Sequence, residues 1–121
     1  MIEFIRADHI HITVSPERLA EAKLFYTNII GLTLIERPKE LDASKGYWFQ
    51  MGDIQLHIGV EPQLPKSGRH TAFEIKNVAA ARKHLEINGV EILEEPFLPG
   101  RNRFAFRDPL GNKIELLEME E

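Results

Sequence analysis

Apolar and polar residues alternate without a break over His9-Ile10-His11-Ile12-Thr13-Val14. Successive side chains of a strand point to opposite faces, so Ile10, Ile12 and Val14 form one face and His9, His11 and Thr13 the other. The first face is that of a core, and the second carries two imidazoles. Ser15-Pro16-Glu17 follows, an N-cap residue, a proline at the first helical position and an early acid, which together predict a helix start. Leu19, Ala22, Tyr26 and Ile29 recur at helical spacing, and Gly31 supplies a C-terminal cap. Three strand-like runs come next: Thr33 to Arg37, Tyr47 to Met51 and Ile54 to Val60. The last two are joined across Gly52-Asp53 as in a tight hairpin.

A loop rich in proline and glycine, Glu61 to Arg69, leads to a second series that begins at His70-Thr71-Ala72-Phe73-Glu74-Ile75. Asn77 is placed to cap a helix with Val78, Ala81 and Leu85 on one stripe, and Gly89 to end it. Strands are predicted at Val90 to Leu93, at Arg103 to Phe106 and, beyond the turn Asp108-Pro109-Leu110-Gly111-Asn112, at Lys113 to Leu117. The order strand, helix, strand, strand, strand therefore occurs twice, in units of about sixty residues. The expected organisation is one domain over 1–121, with module one at 1–60, a linker at 61–69 and module two at 70–121.

Ligand-type side chains fall at matching places in the two units. The first strands open on His9 and His70, and the last strands contain Leu56-His57-Ile58 and Ile114-Glu115-Leu116. Flanking by aliphatic residues puts His57 and Glu115 on the sheet face opposite their neighbours. If the two units pair so that their sheets form one curved surface, His9, His57, His70 and Glu115 offer three imidazole nitrogens and a carboxylate. That donor set suits a divalent transition ion with coordination positions left for water or substrate.

At 121 residues, 43% hydrophobic and 28% charged, the composition is that of one folded globular domain. The absence of cysteine excludes disulfides, a thiolate nucleophile and thiolate metal ligands, which leaves nitrogen and oxygen donors. A net charge of -4, with Arg101, Arg103 and Arg107 the only dense basic group, argues against nucleic acid as a partner. Charged residues in the first nine positions come too early for a secretory apolar core, and no apolar run reaches the length of a membrane span. A cytoplasmic location without membrane contact is expected.

The chain resembles the vicinal oxygen chelate superfamily, which holds glyoxalase I, the extradiol dioxygenases, methylmalonyl-CoA epimerase and the fosfomycin and bleomycin resistance proteins. The likeness rests on Asp8-His9-Ile10, Leu24-Phe25-Tyr26, Ile30-Gly31-Leu32, Gln55-Leu56-His57-Ile58, the restart at His70, and Asp108-Pro109-Leu110-Gly111-Asn112 followed by Ile114-Glu115-Leu116. It covers essentially the whole chain. It implies an α+β fold of two βαβββ modules forming curved mixed sheets around a cavity, pairing as a homodimer, and a divalent metal ion (zinc, nickel, manganese, iron or cobalt) that chelates two neighbouring oxygens of a substrate. Carried over by position, His9, His70 and Glu115 match metal ligands. Where the family often has a carboxylate, this chain has His57, with Gln55 on the same face as the alternative.

The remaining candidates follow from placement. His11 shares a face with His9, about 7 Å along the strand at ~3.3 Å per residue, which suits a cavity wall or a hydrogen-bonding group for substrate better than a further ligand. Glu115 or His11 is the candidate base for an isomerase or epimerase reaction. Arg103 is a candidate clamp for an anionic oxygen, and Trp48 and Gln55 are candidates for contacts with a small-molecule substrate. The function expected is that of a metal-dependent glyoxalase/dioxygenase-type enzyme, of lyase, isomerase, transferase or dioxygenase chemistry. The rival is a non-catalytic drug- or metabolite-binding protein of bleomycin-resistance type.

Overall fold

The computed structural model describes residues 1–120. The chain divides into two compact units, 1–63 and 64–121. In the first, β1 (His9–Val14) leads through a 3-10 turn (Pro16–Arg18) into α1 (Leu19–Leu24) and a π turn (Phe25–Ile29), followed by β2 (Thr33–Ile35), β3 (Gly46–Met51) and β4 (Ile54–Val60). The sheet order is β1-β4-β3-β2, with β1 parallel to β4 and the other pairs antiparallel. Val14, Phe49, Leu56 and Ile58 are buried together with Ala22, Phe25 and Tyr26 of the helical segment. Tyr26 meets the Phe49 ring at 6.1 Å between centroids. Burial of each large apolar side chain stabilises the unit by roughly 1.5–3 kcal/mol.

The second unit repeats the plan with β5 (His70–Glu74), α2 (Val78–Ile87), β6 (Ile92–Leu93), β7 (Arg101–Arg107) and β8 (Lys113–Met119). Its order is β5-β8-β7-β6, again with the first strand parallel to the last. Phe104, Phe106, Ile114, Leu110 and Leu85 make its core. The Asn77 side chain accepts from Ala80 N at 2.9 Å and caps α2 as its position predicts. Both units are thus βαβββ modules with mixed four-stranded sheets, an α+β architecture. Among the described residues no helix is long and apolar enough to cross a membrane.

Several boundaries differ from the sequence expectation for local reasons. Val90 does not join β6, because its N–H donates to Leu85 O at 2.9 Å while that of Gly89 donates to Glu86 O at 3.0 Å, the two bonds of a Schellman cap. Gly89 takes φ +76 there. The strand from Thr33 stops at Ile35, ahead of Pro38, which has no N–H for a ladder. β7 begins at Arg101 instead of Arg103, since the ladder runs on to Arg101 opposite Met119 and is closed by Glu120 N donating to Gly100 O.

The Ser15 side chain does not cap the first helix. Arg18 N already donates to Ser15 O at 3.0 Å, and Pro16 has no N–H to give. Phe25 is buried beside Tyr26, edge to face at 5.1 Å, because at i+3 and i+4 from the buried Ala22 both rings lie on its stripe.

Candidate functional site

In the first unit the register sets the polar face. His9 lies opposite Gln55, and His11 opposite His57. Across the antiparallel pair Trp48 lies opposite His57. The Trp48 and His57 rings stack at 3.9 Å with 3° between planes, and His57 stacks on His9 at 4.0 Å and 16°. The second contact is diagonal, two positions from the direct partner, which aromatic side chains can span. His11 lies over Gly59 instead: a Cβ built at Gly59 would fall 2.6 Å from His11 Nε2. Gly59→Ala is therefore expected to displace the His11 ring at a stability cost of under about 1 kcal/mol, because only a side-chain end must yield. A shifted His11 ring resonance with an unchanged denaturation midpoint is the check.

Hydrogen bonds decide which ring nitrogens carry protons. His9 Nδ1 lies 2.9 Å from Asp8 Oδ2. A carboxylate only accepts, so Nδ1 donates and the Nε2 lone pair is left outward. The same bond holds the exposed Asp8 carboxyl below its ordinary value. His57 is buried at 7% exposure. Its Nε2 lies 2.8 Å from Gln55 Oε1, to which it donates. Burial, and secondarily the nearby His9, lower its pKa to about 4, so it is a neutral imidazole at neutral pH.

In the second unit Glu115 is buried on β8, 5% exposed, opposite Ala72 on one side and Ala105 on the other. Both of its cross-strand neighbours are small. Oε1 receives Arg103 Nη1 at 3.2 Å and faces His70 Nε2 at 3.3 Å. His70 Nδ1 donates to Gly68 O at 2.9 Å. With that proton fixed on Nδ1, the Nε2 lone pair faces a carboxylate oxygen. Such a contact is satisfied by a second ring proton or by a cation shared between the two atoms. Bonds of 2.0–2.2 Å at tetrahedral to octahedral angles place adjacent donors roughly 2.8–3.6 Å apart, so this pair has the spacing of two ligands on one ion. Arg103 also donates to Pro96 O at 2.8 Å. Beside it Lys113 Nζ donates to Glu95 at 2.8 Å and lowers the Glu95 pKa.

The structure thus brings His9, His57, Gln55 and Trp48 together in one unit and His70, Glu115 and Arg103 in the other, with His11 set apart over Gly59. Among the described residues no three His, Asp or Glu side chains gather as a metal cage. The last strands match in register, with His57 opposite His11 and Glu115 opposite Ala72. Sequence reasoning passed over Asp8 and Glu95. Asp8 had a signal, since it adjoins His9, whereas Glu95 reaches Lys113 only through the chain's return from β6 to β8.

A family model, Glyoxalase/Bleomycin resistance protein/Dioxygenase superfamily, matches residues 7–116. The uncharacterized protein YaeR of Escherichia coli (strain K12) is 31% identical over 121 aligned positions, which cover 89% of this chain and 93% of that protein. The crystal structure of a protein assigned to the glyoxalase family from Bacillus anthracis is 33% identical with a TM-score of 0.89, covering 99% of this chain and 100% of that one. The fosfomycin resistance protein FosX from Listeria monocytogenes is 23% identical with a TM-score of 0.76, over 99% of this chain and 96% of that chain, a likeness of fold.

Proposed function

The chain belongs to the Glyoxalase/Bleomycin resistance protein/Dioxygenase superfamily, and on that premise we propose that it is a divalent-metal-dependent enzyme acting on a small, oxygen-rich, anionic substrate. The observation that carries the reading is the contact of His70 Nε2 with Glu115 Oε1 at 3.3 Å, with Nδ1 already committed to Gly68 O. The candidate ligands for zinc, nickel, manganese, iron or cobalt are His70 and Glu115 in the second unit and, in the first, His9 through Nε2 with Gln55. A divalent ion held there supplies Lewis-acid stabilisation of charge on two neighbouring substrate oxygens.

The chain's own groups would do the rest. Asp8 fixes the tautomer and direction of His9. Arg103, its side chain 14% exposed, presents a guanidinium beside Glu115 to an anionic substrate oxygen. His11 is exposed and makes no hydrogen bond through either ring nitrogen, so one nitrogen is free to take a proton from a substrate carbon and return it. A homodimer in the cytoplasm is the expected working form.

The test is elemental analysis of the purified chain after incubation with a divalent ion and dialysis. One ion per chain is expected, and His70→Ala and Glu115→Gln are expected to lose it while keeping the wild-type circular dichroism. Metal retained at the wild-type level in both variants overturns the assignment. The planar stack of Trp48, His57 and His9 favours a second reading, a non-catalytic binder of a flat drug or metabolite. Tight ligand binding by a chain that holds no ion would establish it.

A further inference from the structure

We propose that Trp48 and His57 are positioning residues, a stacked pair that sets the plane of the His9 imidazole so that its Nε2 is presented outward, and that His57 orients a ligand without being one. This rests on the metal reading given above. Two contacts define the direction of the His9 lone pair. Asp8 holds Nδ1, which fixes one edge of the ring. His57, 4.0 Å away and nearly parallel, fixes its plane. His9 needs such support because it opens β1, an edge strand of its sheet, and its side chain is 42% exposed.

The support is itself rigid. His57 is buried, backed by Trp48 at 3.9 Å and 3°, and tied through Nε2 to Gln55 Oε1 at 2.8 Å. An amide oxygen only accepts, so His57 Nε2 carries its proton and has no lone pair for an ion. The other nitrogen, Nδ1, keeps a lone pair, and a substitution that removes both ring nitrogens but keeps a flat ring tests whether it binds an ion. Trp48 and His57 face each other directly across the β3–β4 ladder, and Gly59 leaves space for His11 to lean away from the stack. Three strands therefore contribute one layer each, and a ring clamped in advance binds without first losing its rotational freedom.

The experiment measures zinc affinity by competition with a chromophoric chelator for the wild type, His57→Phe, His57→Ala, Trp48→Ala and His9→Ala. Emission is followed in parallel, since Trp48 is the only tryptophan. Phenylalanine keeps a flat ring but has no nitrogen, so His57→Phe is expected to stay within about tenfold of the wild type. His57→Ala and Trp48→Ala are expected to weaken zinc binding by about 10–100-fold, the usual effect of removing an outer-shell partner. Zinc is expected to shift Trp48 emission in the wild type and in His57→Phe, and to leave it unmoved in His57→Ala. A loss in His57→Phe as large as in His9→Ala makes His57 a ligand and overturns the proposal. Failure of the wild type to bind zinc, or undiminished binding by His9→Ala, overturns the metal reading and this inference with it.

Discussion

Arg103→Met is expected to destabilise the protein by about 3 kcal/mol, the cost of leaving a buried carboxylate without its cation. Glu115 is 5% exposed, and its charge faces Arg103 at 3.2 Å and the half-exposed His70 at 3.3 Å. With the guanidinium gone, the carboxylate must draw a proton or stay ionised in a poor environment. Either route favours unfolding. The pair is not an efficient source of stability, because Arg103 Nε is itself buried without a hydrogen-bond partner. Arg103→Met/Glu115→Met should therefore recover to within about 1 kcal/mol of the wild type, since apolar replacements of matched volume remove both unmet demands. Urea midpoints of the two singles and the double, in metal-free protein, give the coupling directly. A cost below 1 kcal/mol for the single, or a double variant weaker than Arg103→Met alone, would show that the pair is screened by solvent.

Acidification is expected to weaken the fold through His57. Its pKa is about 4 in the folded chain against an ordinary 6.5, because burial penalises the charged ring. Between those values the unfolded chain binds a proton that the folded chain does not, so stability falls as pH drops through this window. The effect is fully absent above pH 6.5 and complete near 4. Between pH 7 and 5 the loss is at most about 2 kcal/mol, at 1.36 kcal/mol per unit. His57→Phe should remove that slope, and comparing urea midpoints at the two pH values in both proteins measures it. Equal slopes in wild type and variant would assign the pH dependence to other groups.

The duplicated βαβββ plan was readable in the sequence because each unit carries local signals that need no tertiary context. Asn77 caps as expected, and Gly52 takes φ +58 in a two-residue hairpin loop of II′ type. The boundaries that moved were set by competition for single N–H groups, as at Val90, or by a partner strand running further, as at Arg101. The candidate site was legible in part. His9, His70 and Glu115 stand out because ligand-type side chains fall at matching places of the two repeated units, and the pairing of Arg103 with Glu115 agrees with its alternation with Ala105. The stack was not legible, because strand pairing alone puts His11 opposite His57, and only the lean of two rings makes His9 its neighbour.

In each unit the first strand pairs with the last, while the hairpin between the third and fourth closes over two residues in the first unit and five in the second. Short loops close at less entropic cost, so the β3–β4 and β7–β8 ladders form ahead of the parallel ones. His9 meets His57, and His70 meets Glu115, only across those late parallel pairs. On the metal reading proposed above, a partly folded or nascent chain is consequently expected to take up no ion, so that ion uptake would report completion of folding.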